Sequence, residues 1–182
     1  MKLERKQPNG LKDITVALAA LEGYESKVGW FENNKYPDGT QVAYVAQIQE
    51  FGAGPIPPRP FMRPTAVKQK AKWLQIMSEG AKAVLHGKLT AKQVFERVGL
   101  QSSADIAKTI ASITSPPLSP ITIELRAMKK KNPGLKITGK LVGEVAAKVR
   151  EPGYTPPTGV STKPLNDTGV MLATLHNVTE RV

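Results

Sequence analysis

The sequence predicts an α+β fold: a small antiparallel sheet packed with several helices, plus an extended basic arm containing proline and glycine. Three observations predict it. Apolar residues recur at three- and four-residue spacing over much of the first 130 positions. β-Branched residues gather at the C-terminus and have a counterpart in a short run near Val28. Proline and glycine punctuate the chain at particular points, which divides it into helix-length pieces.

Taken in order, Leu11, Ile14, Leu18 and Leu21 share one helical face, and Gly23 is placed to end that helix. Residues 27–31 read as a short strand, followed by the Pro37-Asp38-Gly39 turn signal. Residues 41–51 form a helix with Val45, Ile48 and Phe51 on its apolar face, ending at Gly52. Arg63-Pro64 opens the longest helix, through Lys88, with Val67, Trp73 or Leu74, Met77, Ala81 and Leu85 as the expected buried stripe. Thr90 caps a helix to Val98, and Ser102 or Ser103 caps another to about Ile113, with Gly99 as the break between them. Ser115-Pro116-Pro117 stops that helix, and Ser119-Pro120 starts one through about Lys130. After Thr168 a single helical turn leads into a strand over 174–182, which is expected to pair with the strand at Val28.

The expected division is a helix-rich core over 1–128, a basic insertion over 129–163, and a C-terminal corner and strand over 164–182 that completes the core. The insertion holds eight basic residues against Glu144 and Glu151, so +6 of the chain's formal +11 lies there. Pro133, Pro152, Pro156 and Pro157 and five glycines make it costly to fold alone. It has room for a short hairpin or helix around 137–149, but its composition predicts mainly an extended arm that orders against a neighbour or DNA.

Composition narrows the chemistry. The chain has no cysteine, which rules out disulfides and thiolate metal sites within it. Residues 1–8 carry no apolar run after their charges, and no stretch approaches the ~20 apolar residues of a membrane span, so neither secretion nor membrane insertion is expected. A net charge of +11 and a pI near 9.9 call for a polyanionic partner, and composition leaves DNA and an acidic protein surface even.

Candidate catalytic motifs fail on inspection. Gly134-Leu135-Lys136-Ile137-Thr138-Gly139-Lys140 matches part of a phosphate-binding loop, but Leu141 stands where Ser or Thr would hold Mg²⁺, and no apolar strand precedes it. His86 and His176 fall in different elements with no metal-ligand spacing. Asp167-Thr168-Gly169 has no second carboxylate element of its kind and suits a helix cap better than a protease site. The glycosylation patterns at Asn166 and Asn177 matter only in a secretory pathway. Residues 55–60 fit a rigid connector between helices better than a polyproline ligand.

Two stretches carry a resemblance. The first is Glu50-Phe51-Gly52 followed by Arg59-Pro60-Phe61-Met62-Arg63-Pro64; the second is Lys163-Pro164-Leu165-Asn166-Asp167-Thr168-Gly169-Val170-Met171-Leu172. With Pro116-Pro117-Leu118-Ser119-Pro120 between them, they resemble the minor tail and virion-morphogenesis proteins of tailed bacteriophages, from about Val28 to Val182 excluding 129–162. Phe51, Gly52, Arg59, Pro60 and Phe61 carry the match. The resemblance implies that the acid-Phe-Gly element closes one helix and the Arg-Pro-Phe element opens the next. It also implies a non-enzymatic, cofactor-free and metal-free ring subunit, hexameric, at the neck or head-proximal tail end, acting in tail completion and head-tail joining.

Implied partners are copies of itself, neighbouring neck, connector or tail-tube proteins, and DNA in the channel, with no membrane. The implied place is the virion, after synthesis in the bacterial host cytoplasm. A tail terminator ring is the near alternative, and a basic, non-sequence-specific DNA-binding accessory protein the distant one. Structural roles are expected for Phe51 and Phe61 as core anchors and for the Asp167-Thr168-Gly169 corner. Arg59 and Arg63 are expected to bind carboxylates within the fold or across a subunit contact. Lys129, Lys130, Lys131, Lys136, Lys140, Lys148 and Arg150 are the candidate DNA or subunit contacts.

Overall fold

The structure, a computed structural model, describes residues 11–182, with side chains from Ile14 onward. The charged stretch 1–8 and the side chain of Leu11 lie outside the described residues. Among these residues the order is α1 (Leu11–Glu22), β1 (Tyr24–Gly29), α2 (Val42–Phe51), α3 (Met62–Leu85), α4 (Ala91–Ser112), α5 (Pro120–Lys131), α6 (Gly139–Val149), α7 (Val170–Ala173) and β2 (His176–Arg181). This is the α+β fold. It divides into two compact units: among the described residues, one comprises 11–29, Met62–Lys108 and Leu175–Val182, the other Trp30–Phe61 and Thr109–Thr174.

In the first unit, β1 and β2 pair antiparallel, with Tyr24 opposite Arg181 and Val28 opposite Asn177; the expected pairing at Val28 forms, but the strand runs over 24–29 and leaves Trp30 and Phe31 beyond its end. α4 starts on a reciprocal cap: Thr90 Oγ1 accepts from Gln93 N at 3.3 Å, while Thr90 N donates to Gln93 Oε1 at 2.9 Å. The helix then runs unbroken through Gly99, which was expected to divide it. A Cβ at Gly99 would overlap the side chains of Ser26 and Asn177, so this glycine permits a close approach of helix to sheet. Ser102 and Ser103 are not caps; their hydroxyls donate to the carbonyls of Val98 and Leu100 inside the helix.

α3 is the longest helix among the described residues, and most of the expected stripe faces inward: Trp73, Met77, Ala81 and Leu85 are half-buried. Thr65 and Gly80 are buried, with Gln69, Trp73 and Ile76 half-buried between them. Val67 and Leu74 are exposed. The inner face also takes a threonine, a glutamine and a glycine, which a pattern of apolar residues does not mark. A Cβ on Gly80 would overlap Val94, which places α3 hard against α4 there. Trp73 Nε1 donates to Asp105 Oδ2 at 3.0 Å, tying the same two helices by a buried carboxylate.

In the second unit, α2 ends where Gly52 takes φ 78°, a left-handed value that glycine adopts without strain. Its buried face is Val42, Ala46 and Glu50. The expected face of Val45, Ile48 and Phe51 is therefore turned by part of a turn, and Phe51 is 60% exposed, not a core anchor. α5 starts at Ser119, whose hydroxyl accepts from Thr122 N, with Pro120 in the first turn.

The insertion holds the short helix for which it had room, since residues 139–149 are α6, capped by Thr138 and packed on α5 with Val145 buried. Residues 132–138 and 150–163 lack regular structure, and the second stretch is tied to the unit by Arg126 and Lys130. At the C-terminal corner, α7 is the expected single turn, but its N-cap is Gly169 at φ 76°, with no side-chain cap. Thr168 Oγ1 reaches Val170 N only at 3.5 Å, and Asp167 instead faces Arg126, 3.7 Å from its Nε.

Candidate functional site

The residues carrying the resemblance meet in one corner of the second unit. Gly52 turns the chain out of α2. Residues 53–56 close a tight turn, with Ala53 N donating to Ile56 O and Ile56 N to Ala53 O. The prolines then run back along α2 until Arg59 N donates to Gln49 O at 2.6 Å. Rigid proline backbone suits this return, because it needs few donors of its own.

Arg59 is buried, and it does not bind a carboxylate as expected. Its Nε donates to Pro116 O at 2.8 Å, one terminal nitrogen to Pro117 O at 3.0 Å, and the other to Gln49 Oε1 at 3.1 Å. The guanidinium fork thus satisfies two carbonyls that have no proline amide beside them to organise a turn. Glu50 is the buried acid of the corner, accepting from Phe61 N at 2.6 Å. Phe61 is fully buried, with the indole of Trp30 edge-on to it at 5.6 Å between centroids. Trp30 Nε1 donates to Met171 O at 2.7 Å, which joins the Lys163–Leu172 motif to the same corner. Pro60 is exposed within the connector, and Arg63 is exposed on the first turn of α3.

A second set of ties holds the loop 150–169. Arg126 donates to Ser161 O at 2.7 Å and Lys163 O at 2.9 Å. Lys130 Nζ donates to Gly159 O, and Lys129 pairs with the buried Asp38 carboxylate. Arg126, Lys129, Lys130 and Ser161, with Tyr36 and Asp167, line a cleft of about 330 Å³. Burial, reinforced by Asp167 and opposed by Arg126, pushes the Tyr36 hydroxyl up to about 12. Lys148 pairs with Glu124, which also accepts from Tyr154 Oη at 3.1 Å. The Lys148 partner holds the Glu124 carboxyl below its ordinary range, against the opposing effect of burial.

Three of the seven candidate contact residues, Lys129, Lys130 and Lys148, are therefore engaged within the unit. Lys131, Lys136, Lys140 and Arg150 are exposed on or beside α5 and α6. The loop spacing of residues 134–140 forms no phosphate cradle: Gly139 is the first residue of α6. Among the described residues no group of three or more His, Cys, Asp or Glu is placed to hold a metal ion, and no helix is long and apolar enough to cross a membrane.

Sequence reasoning missed Glu50 as a buried acceptor, and Gln49, Trp30 and Arg126 as ties. The adjacency of Glu50 to the Gly52 helix stop was the available signal for the first; Trp30 and Arg126 donate to backbone carbonyls and Gln49 accepts from Arg59, pairings that no residue pattern marks. No family model, no curated protein and no solved structure matches the chain.

Proposed function

We propose that this chain is a structural virion protein of a tailed phage, a ring subunit at the neck or head-proximal tail end that completes the tail and joins it to the head. What supports the reading is the corner itself. The two motifs of the resemblance, distant in sequence, are joined through Glu50, Phe61, Trp30 and Met171, with Glu50 and Trp30 each holding a backbone group. Side chains so used position a scaffold; they perform no turnover. The tail terminator ring is the close variant of this reading.

The test has two arms. Native mass spectrometry of the purified protein should give a single closed oligomer, and protein analysis of purified virions should find the chain in the particle. A phage with the gene silenced should then accumulate filled heads and separate tails. Full plaque formation without the gene, or absence of the protein from virions, refutes the proposal.

The exposed Lys131, Lys136, Lys140 and Arg150 favour a second reading, a DNA-binding accessory protein. It requires duplex binding that falls steeply with salt and a monomer or dimer in solution.

A further inference from the structure

The surface made by α2 and the proline turn differs from the rest of this chain in its charge. Nearly a quarter of the residues are charged, 23%, yet over residues 40–60 the charged side chains are Glu50 and Arg59 alone. Both are buried, at 3% and 4% exposure. Everything this stretch shows to solvent is uncharged. Tyr44 and Phe51 stand seven residues apart, two turns along the same face of α2, and are 59% and 60% exposed. Gln47 is exposed between them, and Ile56 is exposed in the turn that folds back beside the end of the helix, flanked by Pro55 and Pro57. Two large aromatics in a chain with only 5% aromatic residues are therefore displayed side by side on a rigid support.

Net charge points to the occupant. Copies carrying +11 repel one another, and any contact that brings lysines together pays that repulsion in full. An acidic partner or DNA would be drawn to the basic faces instead. A surface free of charge is the one on which a second copy of the same basic chain can sit without confronting like charge, and exposed aromatics supply the apolar anchors that interface centres favour. We propose that Tyr44, Phe51 and Ile56 form the centre of the contact between neighbouring copies of this chain. A closed ring seats each such surface on a different surface of the next copy, so one substitution interrupts every contact in the ring. The choice of occupant rests on the ring reading above; the surface itself rests on burial and charge.

The experiment compares the wild-type chain with Phe51→Glu and Tyr44→Glu, using Thr155→Glu as an exposed control of equal charge change. Sedimentation velocity across protein concentration should show self-association weakened at least about tenfold in both patch variants and unchanged in the control. Far-ultraviolet circular dichroism should be unaltered in all of them, since neither aromatic is buried. Raising salt should strengthen wild-type association, because it screens the repulsion between basic copies while leaving an apolar contact intact.

For the virion, p-benzoylphenylalanine in place of Tyr44 should cross-link one copy to another. Rings that persist in both patch variants, or association that weakens with salt, overturn the assigned surface and leave the ring reading standing. Cross-links only to a different virion protein overturn the second copy as occupant. A wild-type chain that stays monomeric and yields no self-cross-link in virions overturns both the surface and the ring.

Discussion

The two units are held together by different means. In the first, regular elements touch directly: α3 meets α4 at Gly80, and α4 meets the sheet at Gly99, each contact close enough that a methyl group would not fit. In the second, long stretches lack regular structure, and side chains reach to main-chain atoms in their place. Arg59 holds Pro116 and Pro117, Arg126 holds Ser161 and Lys163, Glu50 holds Phe61, and Trp30 holds Met171. Loops rich in proline have too few amides to tie themselves, so arginine and tryptophan donors do it from outside. The difference teaches that small residues are the weak points of the first unit and polar ones those of the second.

The largest expected effect separates two phenylalanines that look equivalent in sequence. Phe61→Ala should cost about 3–5 kcal/mol in denaturant unfolding, because it empties a fully buried site beside Trp30. Phe51→Ala should change stability by less than about 1 kcal/mol. Equal losses would mean that the corner does not depend on Phe61 in particular.

Arg59→Ala should cost about 2–3 kcal/mol, since it removes three charge-assisted hydrogen bonds and empties a buried site, and Arg59→Lys should recover little because one ammonium cannot reproduce the three-way fork. A lysine variant as stable as the wild type would show that charge alone suffices there.

Glycine variants sharpen the other side of the comparison. Gly80→Ala and Gly99→Ala should each destabilise by about 1–3 kcal/mol through overpacking, despite alanine's better helix propensity. Gly143→Ala in α6, where nothing lies within 4 Å of the added methyl, should instead stabilise by about 0.5–1 kcal/mol. A gain at all three positions would remove the close contacts from the account of the first unit.

The smallest effect is a pH dependence of the second unit. Burial would raise the Asp38 carboxyl, but the Lys129 ammonium and the Thr40 amide and hydroxyl outweigh it and bring the pKa from 3.8 down to about 2. A depressed carboxylate favours the folded state above its unfolded pKa, and that contribution is lost as pH falls through the folded value. The melting temperature should therefore drop between about pH 4 and pH 2, more steeply than in Asp38→Asn. Parallel melting curves for the two proteins would exclude this contribution.

Local signals placed most elements. The Thr90 cap with Gln93, the Ser119-Pro120 start, the Gly52 stop and the β-branched C-terminus all act within a few residues of themselves, so they could be read in isolation. Gly99 misled because the same residue serves as a helix breaker in a loop-forming context and as a packing gap in a helix, and only its neighbours in space distinguish these uses. The 129–163 segment was legible only in part: its composition left a hairpin and a helix open around 137–149, and Leu141, Val145 and Lys148 settle on α6 because α5 and Glu124 lie beside them. Of the candidate site, the identity of Arg59 and Phe61 was legible, but not what they bond.

The sequence by itself determined most of the places where the chain becomes helix or strand, because caps, prolines and β-branched residues bias backbone angles locally. It also determined the charge, which no folding can change. The tertiary structure alone decided which face each helix buries, that Phe61 is enclosed while Phe51 meets solvent, and that Glu50 and Arg59 withdraw their charges from an otherwise uncharged surface. Those outcomes depend on which carbonyls and side chains arrive from distant parts of the chain, and burial is a property of the whole assembly of neighbours, not of the residue buried.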